Sequence, residues 1–138
     1  MKRTLTLIAT AVGSLLVPSA PIRAQSMVAV YKIPFSFNAE GVELASGKYT
    51  VSQAGLQSGM LRSDHGEAIL FITAPLSSKP GLAHLTFYKY ANRYFLRQVS
   101  DDGGMGSKIP LSREEREIIR SQQQAKITPP QLTVVAER

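Results

Sequence analysis

Three short stretches of the 138-residue chain hold side chains able to do chemistry. In "SDHGE", residues 63–67, Asp64, His65 and Glu67 bring one imidazole and two carboxylates together. Such a set can move protons or ligate a metal. The same residues are ordinary in a solvated hairpin turn, where Asp, His and Gly tolerate unusual dihedrals. A zinc site takes three or four ligands, and the chain has two histidines and no cysteine, so the turn is the preferred reading. In "DDGGMG", Asp101 and Asp102 offer two hard oxygens beside glycines. Calcium takes six to eight oxygens in organised spacing, and this stretch lacks the alternating acids of a dedicated loop.

The third stretch is "HLTFYKYANRYFLRQV", residues 84–99, with five of the chain's ten Phe and Tyr residues. Tyr88, Tyr90, Arg93, Tyr94 and Arg97 are the candidate contact residues. Their rings and guanidinium groups can form a platform for a sugar ring or an acidic partner, by stacking and cation–π attraction. The competing reading is structural. Phe87, Tyr88, Phe95 and Leu96 then form core, and the Lys and Arg stems lie over the sheet with their charged ends in water. Motifs for nucleophilic catalysis are missing: there is no G-x-S-x-G and no S-x-x-K. "GKY" at 47–49 lacks the Ser or Thr of a phosphate loop. The sequence therefore implies no catalytic set, no metal and no cofactor.

The elements that must position these residues read as strands and turns. "MVAVYKIPFSFNAEGVELASGKYTVSQ" is rich in Val, Ile, Phe, Tyr and Thr and broken by Pro34, Asn38, Gly41 and Gly47. Pro34 cannot donate to a ladder and predicts an edge or a break. Tyr49 and Val51 share one face of a strand at 48–52. "SGMLRS" and "EAILFIT" predict a hairpin turning at Asp64–Gly66. "APLSSKPG" reads as a loop and "SDDGGMG" as a turn. A two-residue turn at Ala91-Asn92 sets Tyr90 opposite Arg93, Tyr88 opposite Phe95, Phe87 opposite Leu96, Leu85 opposite Gln98, and His84 opposite Val99. Leu85, Phe87 and Leu96 then share one face; Tyr88, Phe95 and Val99 share the other. "PLSREEREIIRSQQQAK" is the one predicted helix, opened by a capping box of Ser112 and Glu115. "QLTVVAER" is a last edge strand or a loose tail.

Six to eight short strands with one late surface helix predict an all-β antiparallel sandwich or curled barrel. The absence of helical patterns between the strands argues against a parallel α/β fold. The N-terminus, "MKRTLTLIATAVGSLLVPSAPIRAQS", has a basic start, an apolar core over 5–17 and a small-residue exit. That core is shorter than the roughly 20 residues of a membrane span. It predicts a signal peptide over 1–24, cut after Ala24, with export to the periplasm or the cell exterior. A single domain then covers 25–126, and 127–138 form a tail or edge strand. Taking away Lys2, Arg3 and Arg23 leaves 13 basic against 10 acidic residues, a net charge of +3, too small and scattered to argue for nucleic acid. Without cysteine the exported part has no disulfide framework.

"IPFSF", "LASGKYTV", "LTFYKYANRYFLRQV" and "LSREERE" together resemble a group of small secreted proteins of Acidobacteria-type soil bacteria. Their recurring pattern reads PF.F…LPAG.Y.V…LVFHRYG..YFL..I…S..ERE. This sequence departs from it most at Ala91, where the pattern has Gly. The resemblance implies export and a strand-rich architecture, and it brings no catalytic residues with it. The expected function is an exported, non-enzymatic β-sandwich that binds a protein or a cell-envelope component such as a glycan. Two other readings stand beside it. One is an extracytoplasmic hydrolase using Asp64, His65 and Glu67. The other is a homo-oligomeric structural subunit whose strand Leu132–Ala136 adds to a neighbour's sheet.

Overall fold

Alternation decides the first strand: Ala29, Tyr31 and Ile33 are buried while Val28 and Lys32 face water. The computed structural model describes residues 28–125 and 129–136, so the signal peptide predicted over residues 1–24 lies outside the described residues. Eleven strands and one helix follow in chain order. They are β1 (Val28–Ile33), β2 (Phe37–Ala39), β3 (Val42–Leu44), β4 (Gly47–Gly55), β5 (Ser58–Ser63), β6 (Ala68–Ile72), β7 (Ala74–Ser77), β8 (His84–Tyr90), β9 (Arg93–Ser100), β10 (Met105–Lys108), α1 (Arg113–Gln124) and β11 (Gln131–Ala136).

Two sheets form. One has the order β1-β4-β5-β6, the other β11-β8-β9-β10-β7, with β2 joining β9 in parallel at Asn38–Phe95 and carrying β3. The architecture is the expected all-β one, without a closed barrel. The chain crosses from one sheet to the other at buried Thr73, between β6 and β7. The core between the sheets is aromatic. Phe87 meets Phe35 and Phe37 edge-on at 5.2 and 5.3 Å, and Phe37 meets Tyr49 edge-on at 5.2 Å. Each such pair adds about 0.5–1.5 kcal/mol beyond area burial.

Two stretches read as irregular are strands. The first half of "APLSSKPG" is β7, an edge strand, which is where a ladder tolerates Pro75. The end of "SDDGGMG" opens β10, set by Asp101: its Oδ1 accepts the Met105 amide at 2.7 Å, and its own amide donates to the Met105 carbonyl at 2.9 Å. The C-terminal residues 131–136 pair along β8, so they are an edge strand of the same domain. Two tight turns carry a non-glycine residue with left-handed backbone. Glu40 (φ 53°) and Gly41 (φ 80°) join β2 to β3, and Ala91 (φ 52°) joins β8 to β9.

The β8–β9 register corrects the expected one at a single point. Tyr90–Arg93, Tyr88–Phe95 and Phe87–Leu96 pair as the two-residue turn requires. Beyond them Thr86 pairs with Gln98, Leu85 with Val99 and His84 with Ser100. Arg97 is the extra residue of a β-bulge. The one-residue shift turns Val99 from the Tyr88 face to the inner face, where it packs against the core.

Candidate functional site

The bulge aims Arg97 at α1. Ser112 caps this helix, its Oγ accepting the Glu115 amide at 3.1 Å, and the Ser112 backbone in turn favours the ionised Glu115 carboxylate. The carboxylate also reaches down into the sheet. Tyr90 donates its hydroxyl to Glu115 Oε1 at 3.1 Å, and Arg97 Nη1 donates to Oε2 at 3.1 Å. Glu115 is 2% exposed and Arg97 6%, so this is a buried ion pair, with Arg97 Nε left without a partner. Burial pushes the Glu115 carboxyl above its ordinary range, against the lowering pull of Arg97 and Tyr90. The same burial, with the Glu115 charge, raises the Tyr90 hydroxyl. At the rim Arg93 donates to Glu114 at 2.6 Å, which holds that carboxyl below its usual range. Asn38 Nδ2 donates to the same carboxylate at 3.3 Å.

The five aromatic-hairpin candidates therefore do not share one open platform. Tyr90 and Arg97 lie buried beneath α1, and Arg93 is tied to the helix. Tyr94 points to the other face and stacks on Phe35 at 3.9 Å. Tyr88 is half-buried, with the Arg97 guanidinium 5.5 Å from its ring centre and Leu132 beside it on β11. Three of these residues fasten a very polar helix to a sheet. The capping box in the sequence announces the helix start, but not that its carboxylate reaches through to a bulged strand.

The other two chemical stretches are turns. Asp64, His65 and Gly66 close the β5–β6 hairpin, Gly66 at φ 94°, its amide donating to the Ser63 carbonyl at 3.2 Å. His65 lies exposed, 3.4 Å from Asp64. Asp101 uses a carboxylate oxygen to close its own turn. Among the described residues no group of three His, Asp or Glu side chains is placed to hold a metal ion. His84 Nδ1 lies 2.8 Å from the Leu82 carbonyl, a local contact at the start of β8.

A cavity of about 260 Å³ opens between the two sheets, at the end where β4 turns into β5 and β9 into β10. Tyr31, Val51, Phe71 and Val99 supply its apolar walls. Small residues make the room: Ala29, Gly59 and Ser107, on the inner faces of their strands, stand where a packed core would carry bulk. Gly59 is decisive. It pairs directly with Phe71, and a Cβ there would lie 2.5 Å from Phe71 Cε2. With only hydrogen at Gly59, the tip of the Phe71 ring takes the place a Cβ would occupy. Asp101 and Ser107 give the lining a few polar groups. Leu56 and Met105, also on the lining, are 98% and 71% exposed and flank the mouth from opposite sheets. A second hollow, about 550 Å³, lies between the β2–β3 turn and the start of α1, but its walls are mostly charged and open to solvent.

No family model, no curated protein and no solved structure matches the chain.

Proposed function

We propose that this chain is an exported, non-enzymatic binding protein that takes a small apolar molecule, a component of the cell envelope, between its two sheets. The observation that carries the reading is the inter-sheet cavity. Protein interiors close-pack, with few voids larger than a water molecule. A void lined by Ala, Ser and Gly at seven positions, beside a phenylalanine whose ring tip sits against a glycine, is space the sequence keeps open. Its mainly apolar walls with few polar groups are the usual make-up of a small-molecule site. Dry cavities of about 150 Å³ take benzene, so 260 Å³ suits a body of roughly ten carbon atoms. Export rests on the basic, apolar and small-residue order of the first 24 residues. Membership of the secreted group that the sequence resembles belongs to the same proposal.

Calorimetric titration with 1-octanol tests it. Burying its chain at about 0.8 kcal/mol per CH₂ gives a gross ~6 kcal/mol, a Kd on the order of tens of micromolar. Ala29→Leu fills the cavity from its wall and should abolish the heat without destabilising the fold. Unsaturable binding by the wild type sinks the proposal, as does an Ala29→Leu variant that binds as well as the wild type.

A further inference from the structure

β6 is the last strand of the four-stranded sheet and pairs only with β5. Two further bonds frame that ladder: the Thr73 amide donates to the Gln57 carbonyl at 2.9 Å, and the Ser63 amide to the Glu67 carbonyl at 2.8 Å. Antiparallel alternation from either end aims the backbone of Ile69 and Phe71 at β5. The amides and carbonyls of Ala68, Leu70 and Ile72 point the other way and have no partner among the described residues. The strand holds no charge and no proline, and Leu70 and Ile72 are each 66% exposed. Natural edges are guarded by lysine, proline, a bulge, shortness or a cover. The other edges have such guards. β7 contains Pro75, β3 has three residues, and β1 and β11 lie beside one another. β6 has none of them.

We propose that β6 pairs antiparallel with β6 of a second copy of this chain, about a two-fold axis at Leu70, joining two four-stranded sheets into one. The strand is complementary to itself in that register. Its middle outward-pointing residue is Leu70, with one more on each side, Ala68 and Ile72. The two-fold sets Leu70 against Leu70 and Ile72 against Ala68, so every outward amide and carbonyl finds a partner. On the outer face Leu70 already pairs with Met60 of β5. A second Leu70 on its other side extends an apolar row of the kind that stabilises sheets. On the inner face, half-buried Ile69 comes to stand opposite the second copy's Phe71. Glu67 falls opposite Thr73, so no like charges face each other across the axis.

Sedimentation velocity of the processed protein, from about 1 to about 500 µM, tests the proposal. A five-residue strand makes an interface at the small, transient end of the range, so half-association is expected on the order of 10–100 µM. Leu70→Lys sets two like charges against each other at the axis and should weaken association at least roughly tenfold. That side chain faces water in the monomer, so the circular dichroism of the variant should match wild type. Leu132→Lys, exposed on β11, should associate as wild type does. The chain has no cysteine, so single cysteines report the register. Leu70→Cys should cross-link under mild oxidation, because directly opposed residues lie about 5.5 Å apart at Cα, within disulfide reach. Ile72→Cys should not, since its two copies stand four residues out of register, about 13 Å apart. A wild type that stays monomeric at the highest concentration overturns the proposal, as does a Leu70→Lys variant that associates normally. So does an Ile72→Cys variant that cross-links as fast as Leu70→Cys. Loss of association in Leu132→Lys overturns it equally, because the contact then lies on β11.

Discussion

Replacing Arg97 by methionine isolates the buried pair beneath α1. The substitution keeps the apolar stem and removes the guanidinium, leaving the 2%-exposed Glu115 carboxylate with only Tyr90 and Ser112 for partners. Breaking a buried pair by deleting one member costs about 3–5 kcal/mol, because the other charge stays desolvated. Domains of this size hold about 5–15 kcal/mol in total, so Arg97→Met should remove a large share. The deficit should depend on pH. Burial already raises the Glu115 carboxyl, and Arg97 is the strongest influence holding it down. Without Arg97 the folded protein binds a proton that the unfolded chain releases, over the interval between the ordinary carboxylate pKa and the raised one. The variant therefore gains stability as pH falls from 8 toward 5, and loses it again on the way back up. Urea unfolding followed by circular dichroism at both pH values measures this. Arg97→Met/Glu115→Leu removes both charges and should recover most of the loss at pH 8. A single-variant loss below about 1 kcal/mol contradicts the account of the pair. A double variant no more stable than Arg97→Met contradicts it equally.

Three further variants probe the frame. Ala91→Gly should be neutral to stabilising by up to about 1 kcal/mol in thermal melts, since relief of the left-handed Ala91 backbone (φ 52°) competes with a more flexible unfolded chain. Gly59→Ala should cost about 1–3 kcal/mol and weaken octanol binding, because the new methyl pushes the Phe71 ring toward the cavity. Asp64→Ala/His65→Ala should shift stability by less than about 0.5 kcal/mol, as expected for an exposed turn whose Gly66 is retained.

Much of the sandwich is legible in the sequence because period-2 alternation is local. Tyr49 and Val51 declare their shared face without help from the rest of the chain, whereas Ala29, Tyr31 and Ile33 alternate with Val28, Val30 and Lys32, so neither face of that strand is cleanly polar. The Ser112–Glu115 box marks the helix start for the same reason. What escapes is non-local. β7 and β10 have four residues each and exist because they pair with one another, and neither has an alternation long enough to read. The Arg97 bulge is invisible to a turn-based register, since nothing in "YFLRQVS" shows that one residue will be skipped. It becomes intelligible once Glu115 stands above it. The cavity is legible only as a hint, in Ser52, Gly55, Ser58, Gly59, Gly106 and Ser107 near strand ends. Single glycines and serines there read equally well as turn punctuation, and only the facing of two sheets turns them into a hollow.

Methyl-resolved NMR of the processed protein during addition of 1-octanol tests the ligand site most directly. Saturable shifts at Ala29, Val51 and Val99, together with the Phe71 ring, are the expected result. Changes that never saturate, or that are confined to exposed Leu70, Leu132 and Val134 away from the cavity, would contradict it.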